Sequence, residues 1–161
     1  MLFLSCACFF SIQAQSTSEN KEPIAKFEIR DARENDSDIT PQVLSDNAYL
    51  VFYLSNDGSE VMFSNYRETP ATQCYGKIYS IKKDDNPETD KDYRHTVYNF
   101  QWSYTDTDGD NNGTAQVKLF LVYKTKGIYF ECTVIKENLD EFQYKGIMTG
   151  DVSAIDSKIS E

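Results

Sequence analysis

The sequence predicts an all-β domain, in the form of an antiparallel up-and-down barrel of about eight strands, with a two-layer β-sandwich as the alternative. Three observations carry this reading. Long segments alternate apolar and polar residues with a period of two, as strands with one buried face do. They follow one another through short polar connections, and scarcely any stretch has a helical period. The clearest case runs from Tyr98 to Ile135, where Tyr98, Phe100, Trp102 and Tyr104 are aromatic at every second position with Asn99, Gln101 and Ser103 between them. Ala115, Val117, Leu119, Leu121 and Tyr123 repeat the pattern, while Phe120 and Val122 predict cover on both faces there. After Lys124-Thr125-Lys126-Gly127, Ile128, Phe130, Cys132 and Val134 share a face, which completes a three-stranded meander.

Taken in order, the chain opens with an uncharged stretch that is apolar as far as Phe10 and ends Ser11-Ile12-Gln13-Ala14. This predicts a removable signal peptide over residues 1–14, too short to cross a bilayer as a helix. No Lys or Arg precedes the apolar run, which is consistent with a start further upstream. Cys6 and Cys8 raise the alternative of a lipid anchor. A leucine one place too close to Cys6, and the poor Ser5-Cys6-Ala7 before Cys8, favour plain secretion. The expected location is secreted or periplasmic, with a form lipid-anchored at the cell surface as the alternative. Residues 15–23 are polar and expected to be mobile.

A single domain is expected over residues 24–150. Its first strand is Ile24 to Arg30, with Ala25, Phe27 and Ile29 on the inner face. Asp31 to Asn47 is charged, contains Pro41 and reads as a long surface connection, with room for one helical turn near Gln42 to Leu44. Ala48 to Leu54 is apolar almost throughout, a strand covered on both faces, and Asp57-Gly58 marks a hairpin into Glu60 to Tyr66. Gln73 to Lys82 alternates again, and Gly76 inside it points to a bend or to another backbone close by. Lys83 to Asp92 reads as a charged loop, Lys136 to Glu141 as a helical turn and Phe142 to Thr149 as a last short strand. Residues 151–161 carry Val152, Ile155 and Ile159 at spacings of three and four, a tail or short helix.

This succession of strands is similar in architecture to lipocalin-like, or calycin-like, barrels. The Gly-x-Trp that opens the first lipocalin strand is absent, and the only tryptophan, Trp102, lies mid-chain.

All 16 Lys and Arg and all 26 Asp and Glu follow residue 15, so the exported form keeps a net charge of −10. That charge argues against nucleic acid and anionic lipid as partners. A small ligand or an extracytoplasmic protein is the partner class left. The ladder of Tyr98, Trp102 and Tyr104, with Tyr79 and Tyr123, supplies flat apolar area and hydroxyls suited to a small apolar or saccharide ligand, although core packing alone explains most of it. The loop Asp106-Thr107-Asp108-Gly109-Asp110 places three carboxylates as the first ligands of a calcium loop would stand. Asn111 and Val117 then stand where the turn glycine and closing glutamate belong, which keeps calcium a weak reading.

Beyond the leader two cysteines remain, Cys74 and Cys132, and a bridge between strands and two buried thiols both fit the pattern. His95 is the only histidine, which excludes metal sites needing two, and no phosphate loop or nucleophile elbow occurs. Carboxylate hydrolysis leaves no local motif, so a secreted hydrolase stays the remote alternative to a binding module. The other alternative is a scaffold that meets a partner protein through the acidic loops. Asn35-Asp36-Ser37 and Asn112-Gly113-Thr114 match the N-glycosylation acceptor pattern in expected loops.

Overall fold

The computed structural model describes residues 23–68, 72–86 and 94–159. The expected signal peptide, Cys6 and Cys8, most of the polar segment after it, Pro70 and residues 87–93 lie outside them. Among the described residues the strands are β1 (Ala25–Glu34), β2 (Ser37–Asp38), β3 (Tyr49–Leu54), β4 (Val61–Arg67), β5 (Thr72–Asn86), β6 (His95–Asp106), β7 (Asn112–Lys124), β8 (Gly127–Lys136) and β9 (Glu141–Gly150). Two short helices, α1 (Thr40–Ser45) and α2 (Ser153–Asp156), follow β2 and β9. No helix among the described residues is long and apolar enough to cross a membrane.

Strands β1 and β3 to β9 pair antiparallel in sequence order, and β1 pairs with β9 over Ala25↔Gly150 to Glu34↔Phe142. The sheet therefore closes on itself as an eight-stranded up-and-down barrel, and the sandwich alternative falls. Closure leaves no long unpaired edge, and β2 only caps the end of β1 through Arg33↔Asp38 and Glu34↔Ser37.

Period-two alternation places the core. Phe27, Phe52, Phe63, Phe100, Leu119, Leu121 and Phe130 are buried at inward positions, and their rings meet mostly edge to face, as in Phe27–Phe130 with centroids 5.1 Å apart. The expected two-sided cover of β3 is present, since outward Val51 and Tyr53 are each only 8% exposed. On that outer face the tilted rings of Tyr49 and Tyr66 pack with centroids 4.9 Å apart, and Gln73 Nε2 donates to buried Ser64 at 2.7 Å.

Two β-bulges account for the largest departures from the sequence reading. Between Ile29 and Asp31 the register of β1 slips, so the next inward residue is Ala32 rather than Asp31. The alternation breaks there, which hides four further strand residues inside what reads as a surface connection. A second slip between Tyr79 and Lys82, with Ser80 at φ 53°, lets β5 continue to Asn86 through residues expected to begin a charged loop. Residues 136–141 form a hairpin turn rather than a helical turn, with Leu139 N–H donating to the Lys136 carbonyl and Lys136 N–H to that of Asp140. Gly76 is needed for a close approach, because a Cβ there would lie 1.8 Å from the Ser103 carbonyl oxygen.

One end of the barrel is plugged. Val152 and Ile155 are buried beneath α2, and Asp156 accepts from Tyr98 Oη at 2.7 Å and from Lys83 Nζ at 2.8 Å. Lys83 also pairs with Asp85 at 3.0 Å, and Thr96 Oγ1 donates to Asp85 at 2.7 Å. The charged residues at the end of β5 thus fasten the floor of the barrel.

Candidate functional site

At the opposite end, where β4, β6 and β8 finish, the interior stays open as a cavity of about 250 Å³. Its walls are graded by depth, and the period of two creates the grading. Climbing β4, the lining residues are Phe63, Asn65 and Arg67; climbing β6 they are Trp102, Tyr104 and Asp106. On β8 Val134 gives way to Lys136. The floor is apolar, the middle carries amide and hydroxyl groups, and the rim is charged.

The polar groups are only partly satisfied. Asn65 Nδ2 donates to Tyr144 Oη at 3.1 Å, yet Asn65 Oδ1 is buried without a hydrogen-bond partner among the described residues. Asp106 Oδ1 is in the same position. The two residues stand on either side of Cys74, which pairs in register with both. Burial raises the Cys74 thiol pKa, against the nearby Lys136 and Arg67 charges that lower it. Trp102 spends its Nε1–H on the Phe63 carbonyl at 3.1 Å, so it offers the cavity ring surface without a free donor.

Of the five aromatic residues singled out from the sequence, the structure brings Trp102 and Tyr104 together at the cavity, with ring centroids 4.8 Å apart. Tyr98 lies at the plugged end on Asp156, Tyr123 lies under the Arg94 guanidinium at 5.0 Å, and Tyr79 points outward, 37% exposed. Asp106 and Asp108 line the cavity and Asp110 does not; no group of three metal-ligating side chains converges among the described residues. Cys74 and Cys132 are free thiols on β5 and β8, three strands apart in the ring, and no disulfide joins them. Cys132 is fully buried, and burial pushes its pKa up to about 12. The His95 ring packs on Phe120 at 5.1 Å, outside the barrel.

Sequence reading missed Asn65, Arg67, Lys136, Phe142 and Tyr144 as lining residues. The signal was present in the alternation, since each lies two places beyond an inward apolar residue of the same strand or continues its face. What was absent is the direction of closure, which decides which strand ends share a rim.

Neither the family models, nor the curated proteins, nor the solved structures contain a match to this chain.

Proposed function

We propose that this chain is an exported, non-catalytic binding module whose barrel mouth holds one small ligand with an apolar face and hydroxyl groups at its edge. The observation that carries the reading is the pair of buried, unpartnered acceptors, Asn65 Oδ1 and Asp106 Oδ1, above an apolar floor of Phe63, Trp102 and Val134. A wholly apolar ligand would leave both oxygens stripped of partners, at about 1–3 kcal/mol each. Hydroxyl donors on the ligand remove that cost, and the broad terminal torsions of Asn and Asp let either oxygen turn to meet them. Between the apolar and the saccharide ligand, this arithmetic favours the hydroxylated one. A cavity near 250 Å³ lies just below the usual range of about 300–1,000 Å³, which suits a monosaccharide-sized molecule.

The test is a titration followed by Trp102 emission, with phenyl β-D-glucoside and with phenylcyclohexane, which keeps the shape without the hydroxyls. The reading expects a saturable change with the glucoside and a weaker one, by at least about tenfold in concentration, with the hydrocarbon. Equal responses would return the site to the apolar class, and no response to either would remove the binding reading.

A further inference from the structure

Resting on that reading of the mouth, we infer that the ligand also carries a carboxylate, received between Arg67 and Lys136, so that the site takes a small hydroxylated acid with an apolar end. Arg67 is on β4 and Lys136 on β8, four strands apart in a ring of eight, so the two cations face each other across the opening. In a chain of net charge −10, these two cations offset the two lining carboxylates, Asp106 and Asp108, and leave the rim without the acidic excess of the rest.

Neither cation is fully used. The Lys136 ammonium is held over the rings of Tyr104 at 5.4 Å and Phe142 at 5.1 Å, and it has no hydrogen-bond acceptor among the described residues. The rings fix its position and leave its three N–H donors unspent. Among the described residues Arg67 has one ionic contact, Nη1 to Asp46 Oδ2 at 3.6 Å, longer than a hydrogen bond, so its planar fork is open to a carboxylate. Both cations act on the Cys74 thiol from their two sides of the mouth, where Asp106 opposes them. Asp106 stands on β6, a quarter turn from each cation, where it accepts from the hydroxyl side of the ligand. The graded walls then read as a description of the ligand: an apolar end at Trp102 and Phe63, hydroxyls at Asn65 and Asp106, and the acid outermost.

Calorimetric titration with phenyl β-D-glucuronide and phenyl β-D-glucoside tests this, because the two differ in a single carboxylate. The glucuronide is expected to bind at least about tenfold tighter, with the ratio falling to about twofold in Lys136→Met, which keeps the stem over the rings. In the unmodified protein, raising salt from about 0.02 M to 0.5 M should weaken the glucuronide several-fold and leave the glucoside in place. This second measurement decides the matter if the variant does not fold. Equal affinities that ignore salt would overturn the carboxylate while leaving the binding reading standing. Absence of binding by both probes would overturn the two together.

Discussion

Asn65 on β4 and Tyr144 on β9 meet across the inside of the barrel, the Asn65 amide donating to the Tyr144 hydroxyl at 3.1 Å. Three strand steps separate them around the wall, so this bond ties together two strands that do not pair in the sheet. Removing the hydroxyl with Tyr144→Phe strips a partner from an amide whose oxygen already lacks one. The expected loss is about 1–2 kcal/mol in urea unfolding. Asn65→Leu combined with Tyr144→Phe should recover most of that loss, because both polar groups are then gone. A double variant as unstable as the sum of the two singles would show that the bond is not the coupling.

Gly76 gives a sharper steric prediction. A methyl group there would overlap the Ser103 carbonyl oxygen and approach Tyr104 Cα to 2.8 Å, so β5 and β6 must part. Gly76→Ala is expected to cost at least the upper part of the roughly 1–3 kcal/mol typical of overpacking. A thermal midpoint unchanged within a degree or two would contradict the strand contact.

The plugged end sets a window of pH. The Thr96 hydroxyl holds Asp85 below the usual carboxylate range, so its contribution is present above an unfolded pKa of about 3.9 and is lost as pH falls through the lower folded value. The hydrogen bond to Asp156 raises Lys83, and burial followed by Asp156 raises Tyr98. Those contributions are present below unfolded pKa values near 10 and are lost as pH rises through the folded ones. Lys83→Met should therefore lower the melting midpoint at pH 7, with the gap from the unmodified protein narrowing as pH rises beyond the ordinary lysine value of about 10.4. A gap of constant size from pH 7 to pH 11.5 would rule out the ionic account of α2.

The two thiols should separate by reactivity. Cys74 borders the cavity, whereas Cys132 is 1% exposed with a pKa near 12. Peptide-resolved alkylation at pH 8 is expected to label Cys74 slowly and Cys132 only on unfolding. Phenyl β-D-glucuronide should slow the labelling of Cys74 further. Labelling of both sites at one rate would mean that the barrel opens as a whole before either reacts.

The alternation around Trp102 is strict because β6 has one face on the core and no bulge, and this made the fold class legible in the sequence. Where the backbone slips a residue, at Ile29/Asp31 and Tyr79/Lys82, the same rule misreads strand as loop. Half of the candidate site followed the same division. Trp102 and Tyr104 were visible as an aromatic ladder, but the ladder runs the length of the barrel and its lower end, Tyr98, belongs to the plug. Arg67 and Lys136 look like ordinary surface charges at strand ends until the β1–β9 pairing closes the ring and sets them opposite each other.

The most direct test of the binding mouth is to map amide chemical shifts by ¹H–¹⁵N correlation while titrating phenyl β-D-glucuronide. Saturable shifts confined to the rim, at Asn65 to Arg67, Gln73 and Cys74, Tyr104 to Asp106 and Val134 to Lys136, with α2 silent, are what the account predicts. Shifts centred on the outer tyrosines of β3 to β5, or on Asp156 and Lys83, would contradict it.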